Sequence, residues 1–181
     1  QKLVLLKAKR DPVFFAEHFL IDPQMKYYKL EEQQKAFLRD KHKNRIFFCS
    51  RRSGKTLTLI IDLLHKAFFN RNQSLGLIAP TLAQATEFAN VMNDMILRSP
   101  MIRSSFIVNN KFTKQLTNLS RISFKTAGAK SGQAENSGLV GSGFHVLYLD
   151  EIQSMDAAAL GTIIPVITGQ VGDAQLWFSG T

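Results

Sequence analysis

Apolar positions along the chain fall in short blocks whose length and period predict strands alternating with helices. Arg45-Ile46-Phe47-Phe48, Leu75-Gly76-Leu77-Ile78-Ala79 and Val146-Leu147-Tyr148-Leu149 read as buried strands, because short, almost continuous apolar runs are what a sheet covered on both faces requires. Ala174-Gln175-Leu176-Trp177-Phe178 predicts a last strand. Between these, Leu57 to Leu64 reads as a buried helix. Leu82, Ala85, Ala89, Met92 and Ile96 form a stripe at helical spacing, with Thr81 as N-cap and Gln84 completing a capping box. Asp11 and Pro12 supply an N-cap and a first-turn proline for a short amphipathic helix over 11–20, which Pro23 breaks off. Thr113 to Thr117 and Arg121 to Thr126 read as a hairpin about Asn118-Leu119-Ser120. The segment 127–143 contains five glycines and reads as a long functional loop.

Composition narrows the classes. A chain of 181 residues with 45% hydrophobic content can bury one sizeable core. No apolar run reaches the ~18 residues of a membrane span. The N-terminal apolar stretches are broken by Lys7, Lys9, Arg10 and Asp11, so no signal peptide is read and secretion is not expected. Starting at Gln1 and stopping on a strand-like run at Thr181, the chain reads as a fragment of something longer. The single cysteine excludes an internal disulfide and fits a reducing compartment. A net charge of +9 fits contact with a polyanion, or equally a basic surface kept soluble by its charge. Lys111, Lys114, Arg121, Lys125 and Lys130 are candidates for such contact, a solvated hairpin face being the alternative.

The chemistry concentrates in two places. Cys49-Ser50-Arg51-Arg52-Ser53-Gly54-Lys55-Thr56 lies between a predicted strand and a predicted helix, the context of a phosphate-binding loop. Unpaired amides and the helix dipole attract anions there. Gly54 permits close approach, Lys55 reaches the terminal phosphates and the Thr56 hydroxyl helps hold Mg²⁺. Cysteine stands at position 49, where the usual loop has its first glycine, and an ordinary turn before a helix is the alternative. In the second place, the apolar strand ending at Leu149 delivers Asp150 and Glu151 to a sheet edge where α/β folds bind ligands. Asp150 would hold Mg²⁺ through water, and Glu151 would orient and deprotonate an attacking water. A solvated acidic turn fits that pair poorly. Gln34 has an amide able to read an adenine edge, or lies on a solvated helix face. Ser179-Gly180-Thr181 can sense a γ-phosphate at a strand end, or is a simple turn.

In this order, Gln34, Ser50 to Thr56, Asp150-Glu151 and Ser179-Gly180-Thr181 resemble the ATPase domain of the large terminase subunit of tailed double-stranded DNA bacteriophages, over roughly residues 27–181. The loop without its first glycine, with an early arginine, is that family's form. The resemblance implies an α/β P-loop NTPase fold of the additional-strand, catalytic-glutamate type, with a mostly parallel central sheet and helices on both faces. Residues 1–26 would then be a helical lead-in to the ATPase core, with a ribonuclease-H-like nuclease domain following in the parent protein. It implies ATP and Mg²⁺ as ligands, Ser50, Arg51, Arg52, Ser53, Gly54, Lys55 and Thr56 around the phosphates, and Gln34 in the adenine site. Arg51 becomes the γ-phosphate sensor and Ser179-Gly180-Thr181 the coupling motif. Many relatives carry an arginine in a Leu-Arg-Gly segment where this chain has Leu139-Val140-Gly141, leaving Arg121, Lys125, Lys130 or Arg51 to fill that role. The implied partners are double-stranded DNA, further copies in a pentameric ring, the portal protein and the small terminase subunit. The implied location is the host cytoplasm, docked on the procapsid, with no membrane. Two rivals are the first motor domain of a superfamily-two helicase, which shares the Pro80-Thr81 element, and a nucleotide-switched assembly protein without turnover.

Overall fold

The computed structural model describes residues 2–50, 52–127, 143–168 and 174–180. Among them are the helices α1 (Lys2–Arg10), α2 (Pro12–Phe19), α3 (Glu32–Arg39), α4 (Lys55–Phe69), α5 (Leu82–Arg98), α6 (Pro100–Arg103) and α7 (Ala157–Thr168). The strands are β1 (Arg45–Phe48), β2 (Ser74–Ala79), β3 (Phe106–Asn109), β4 (Thr113–Leu116), β5 (Arg121–Thr126), β6 (Val146–Leu149) and β7 (Gln175–Gly180). They join in one sheet in the order β1-β7-β6-β2-β5-β4-β3. The strands from β1 to β5 in that order pair in parallel, while β4 and β3 add antiparallel. Parallel neighbours need crossover connections, and α4, α5 and α7 supply helices for them.

Alternation along the central strands feeds two cores. Val146 and Tyr148 face a large cluster with Leu75, Leu77 and Trp177, covered by α2, α3, α4 and α5. Leu147 and Leu149 face the other side with Ile78, where Ala159, Leu160 and Ile163 of α7 pack. Helices therefore cover both faces, and the sheet is mostly parallel, as expected. Residues of the lead-in enter the main core directly: Val13, Phe15, Ala16, Phe19 and Leu20 are all buried in it. Asp11 caps α2, its carboxylate accepting from the Val13 amide at 3.0 Å.

Three local expectations change. The stripe on α5 is Ala85, Phe88, Ala89, Met92, Met95 and Ile96, while Leu82 is 64% exposed. Leu82 is the first residue of the helix, directly after the Thr81 cap. The predicted hairpin gains β3 as a third strand, paired to β4 across a register shift near Val108. Lys114 does not face solvent: its side chain is fully buried, with Nζ donating to the Asn110 carbonyl at 2.5 Å. Its alternation along β4 (burial of Lys114 and Leu116) puts it on the covered face.

Burial lowers the Lys114 ammonium to about 8. The unfolded chain then holds more protons than the folded one between pH 8 and ~10.4, so this residue makes stability rise with pH across that window. Lys114→Met is expected to stabilise the protein at pH 7 by about 1–2 kcal/mol and to flatten that rise. Urea unfolding of both proteins from pH 7 to 10.5 checks it, and an unchanged slope would count against the assignment.

Candidate nucleotide-binding and catalytic site

Parallel pairing brings the C-terminal ends of β1, β7, β6 and β2 to one edge of the sheet. That edge carries the phosphate-loop candidate after β1, Ser179-Gly180 at the end of β7, Asp150-Glu151 after β6 and Pro80-Thr81 after β2. One strand, β7, separates the loop-bearing strand from the acidic one.

The loop turns into α4 through Gly54, which has a φ of 77° and precedes the first helical residue, Lys55. A Cβ at Gly54 would lie 2.3 Å from Gln34 Nε2. Lys55 reaches back across the loop, Nζ donating to the Cys49 carbonyl at 2.9 Å. Cys49 Sγ and Ser53 Oγ lie 2.8 Å apart, so the thiol that stands in place of glycine ties the loop to itself. Ser50 and Arg52 are exposed, while Ser53 and Thr56 are half-buried. Arg51 lies outside the described residues, as do Lys130, Thr181 and most of the glycine-rich segment with its Leu139-Val140-Gly141.

Gln34 is buried, not on a solvated face. Its Oε1 accepts from the Glu31 amide at 2.9 Å, closing a capping box at the start of α3, and its Nε2 donates to the Gly54 carbonyl at 3.3 Å. The amide thus links α3 to the loop at Gly54. One N–H and one oxygen lone pair are left by that count.

Asp150 is buried at the end of β6 and accepts from the Ser179 hydroxyl at 2.5 Å. Burial raises its pKa, and the Glu151 charge adds to this; the Ser179 bond and the Lys55 charge oppose it. β7 also touches the loop side: the Cys49 amide donates to the Gly180 carbonyl at 3.5 Å. A Cβ at Gly180 would meet the Phe48 ring at 2.3 Å and Gln153 Oε1 at 2.5 Å, so a larger residue there would have to displace both side chains. Glu151 adopts a left-handed backbone, φ 46°, which a non-glycine residue holds only when its surroundings impose it.

The structure also brings in a residue that the sequence marked only as a helix cap. Gln84 Nε2 donates to Glu151 Oε2 at 3.0 Å. No sequence spacing predicts this contact, because it depends on β2 pairing with β6. The basic candidates fare differently: Arg121 is exposed, whereas Lys125 is half-buried, its pKa lowered by burial, with Nζ 5.7 Å from the Phe144 ring centroid. Among the described residues no cluster of three or more His, Cys, Asp or Glu could by itself hold a metal, and no helix is long and apolar enough to cross a membrane.

Comparison with known proteins matches one family and several solved structures of the same fold. The family described as terminase large subunit, T4likevirus-type, N-terminal, matches residues 46–163. The large terminase of bacteriophage HK97 superposes with a TM-score of 0.78 at 18% identity, over 96% of this chain and 37% of that one. The large terminase ATPase domain of Thermus phage P74-26 gives 0.69 at 20%, over 85% and 65%. The large terminase of a thermophilic bacteriophage in complex with ADP gives 0.58 at 15%, over 83% and 39%. At these identities the likeness establishes the fold, that of a P-loop NTPase. The chain spans less than two thirds of the length of each of these three. No curated protein matches it. Nothing in these matches favours the helicase alternative.

Gly54→Ala is expected to destabilise the protein by about 1–3 kcal/mol, through the left-handed φ and the clash with Gln34. Adding Gln34→Ala should leave the backbone part of that cost in place. Chemical denaturation measures both, and a Gly54→Ala protein as stable as the parent would refute the geometry.

Proposed function

Because the chain belongs to the family of T4-like-virus-type terminase large subunits, in their N-terminal part, we propose that it is the ATP-hydrolysing motor domain of a viral DNA-packaging machine. The observation that carries this reading is the convergence, on one sheet edge, of the Gly54-Lys55 loop, the Asp150-Glu151 pair and Ser179.

The proposed chemistry is in-line attack of water on the γ-phosphate, which needs positioning and charge stabilisation more than covalent help. The start of α4 supplies unpaired amides and a positive dipole end for the phosphates. Lys55 exchanges its bond to the Cys49 carbonyl for phosphate oxygens, so the ammonium is already held over the loop. Arg51 is the proposed γ-phosphate sensor, and Arg52 and the Ser50 and Ser53 hydroxyls complete the rim. The remaining N–H and lone pair of Gln34 are what an adenine edge would take.

One carboxylate and one hydroxyl, Asp150 and Thr56, suit Mg²⁺, which keeps several waters and takes most other ligands from substrate phosphates. A cluster of three ligating side chains is not needed for that, in keeping with the donor set here. When bound, the ion would neutralise charge on the phosphate oxygens. Glu151 acts as base toward the attacking water. Ser179, bonded to Asp150, and Gly180, packed under Phe48, form a path by which phosphate loss reaches β1 and β7.

The whole-protein part of the proposal is that this domain works as a pentameric ring at the portal in the host cytoplasm. There it would act with the small subunit and a downstream nuclease domain, and drive double-stranded DNA into the procapsid. Completion of one site by a neighbour would place Arg121, Lys125 or Lys130 near the nucleotide of another copy.

Glu151→Gln should keep ATP binding and lower turnover by at least about 10²-fold. Retained hydrolysis would remove Glu151 from its role. A motor that grips backbone charge should bind duplex DNA with an affinity that falls steeply between 50 and ~200 mM salt and ignores base sequence. Fluorescence anisotropy with two unrelated duplexes tests this, and salt-independent binding would contradict it.

A further inference from the structure

A cavity of about 480 Å³ lies at the edge of the sheet opposite the candidate nucleotide site. Arg45 and Gln175, the first residues of the parallel strands β1 and β7, line it, whereas the loop and the acids stand at the C-terminal strand ends. That volume falls in the range of small-molecule pockets, roughly 300–1,000 Å³. Buried Arg45 and Asp62 form its floor, half-buried Lys66 its wall, and exposed Arg10, Arg39 and Lys41 its rim. We propose that this cavity binds a terminal phosphoryl group, with Arg45 and Lys66 as its receptors and Arg10 and Lys41 guiding it in from the rim.

The chain does not match the charges of this cavity by itself. Five cations, the three rim residues with Arg45 and Lys66, face three carboxylates, Asp11, Asp40 and Asp62. Each carboxylate already has its partners. Asp11 accepts from the Arg39 guanidinium at 2.8 Å and from the Val13 amide at 3.0 Å. Asp40 accepts from the His42 amide at 3.0 Å, with His42 Nδ1 2.6 Å away. Asp62 accepts from the Tyr148 hydroxyl and lies 3.6 Å from Arg45 Nη2, too far for a hydrogen bond. Arg45 Nη1 donates to the carbonyls of Phe37 and Asp40, but Nε is buried with no partner. Buried donors are normally filled, so this guanidinium is under-satisfied. Lys66 Nζ donates to one neutral acceptor, Gln175 Oε1 at 3.1 Å, out of three protons. Both cations stand over the Trp177 ring, Arg45 at 3.1 Å and Lys66 at 4.7 Å from its centroid. Burial lowers the Lys66 ammonium; the Asp62 charge opposes this and the Arg45 charge adds to it. Two cations that share one ring and one carboxylate leave a positive excess, which an anion bridging Nη2 and Nζ neutralises. A terminal phosphoryl group carries nearly two charges and three acceptor oxygens, enough for both receptors. Because the receptors lie below an exposed rim, a group that ends in phosphate reaches them, whereas a backbone phosphate bonded on both sides meets the rim first.

The chain carries its own probe. Trp177 is its single tryptophan and is buried, so its emission reports on the two cations without touching the ligand. Titration with pyrophosphate should change that emission saturably, with a Kd of about 1 mM or below that weakens between 50 and ~200 mM salt. Lys55→Ala, which disables the candidate phosphate loop, should keep the response. Lys66→Met should weaken it at least about tenfold. Arg10→Ala combined with Lys41→Ala, at exposed positions that spare the fold, should weaken it about threefold. A duplex with 5′-phosphates and its 5′-hydroxyl counterpart then identify the source. A response to the phosphorylated duplex assigns the site to a DNA end, and a response to pyrophosphate alone assigns it to a free phosphorylated molecule. Equal responses to the two duplexes overturn the terminal phosphoryl assignment. The site itself is overturned by no saturable change up to about 10 mM pyrophosphate, by an undiminished response in Lys66→Met, or by loss of the response in Lys55→Ala.

Discussion

Buried charge under the sheet fixes where the candidate phosphate loop can be. Asp62, on α4, is almost fully buried and accepts a hydrogen bond from the Tyr148 hydroxyl of β6. Arg45, at the start of β1, lies 3.6 Å from the same carboxylate and stacks its guanidinium 3.1 Å from the Trp177 ring centre on β7. Arg45 also donates to the carbonyls of Phe37 and Asp40 at 2.7 and 2.9 Å, tying in the end of α3. A carboxylate so deeply buried is costly unless every contact is good, and breaking one partner leaves the other charge stranded. The cluster therefore holds α4 in one register against β1, β6 and β7. Lys55 lies two helical turns before Asp62, and Asp150 two residues after Tyr148, so the register of the core is the register of the site.

β7 turns this fixed frame into a coupled one. Lying between β1 and β6, it touches the loop through the Gly180 carbonyl and the acid through the Ser179 hydroxyl. Residues far apart in sequence thus share one short strand end. The same logic operates on the other flank of β6, where the tip of β2 reaches Glu151 through Gln84. The two acids are held from opposite sides: Asp150 by the strand toward the loop, Glu151 by the strand away from it. Neighbouring carboxylates that are anchored separately can take separate roles.

Much of this was legible in the chain itself. The apolar runs around Leu77-Ile78 and Leu147-Leu149 form strands buried on both faces, as their pattern predicts, whereas β1 is a strand of which only Arg45 and Phe47 are buried and Ile46 and Phe48 are exposed. Gly54-Lys55-Thr56 between a strand and a helix carries its own chemistry wherever it is placed. Asp11 and Thr81 cap their helices through contacts two or three residues away, which sequence spacing encodes. Other residues misled for a physical reason. Lys114 reads as a surface cation because lysine is almost always exposed, yet strand alternation forces it inward. Leu82 reads as core because it completes a helical stripe, yet it stands at the first position of α5 and is exposed.

What the sequence determined alone was the local pattern: which segments form strands and helices, which loop joins a strand to a helix through Gly54-Lys55-Thr56, and which strand ends in acids. These depend on periodicity, turn preference and short-range hydrogen bonds, all of which act within a few residues. Tertiary structure decided which of those pieces became neighbours. The strand order β1-β7-β6-β2 set Ser179 on Asp150 and Gln84 on Glu151, and the packing of α3 against α4 set Gln34 on Gly54. Those contacts join residues whose separation along the chain says nothing about their distance in space, because sheet pairing and helix packing are chosen by the burial of the whole apolar set.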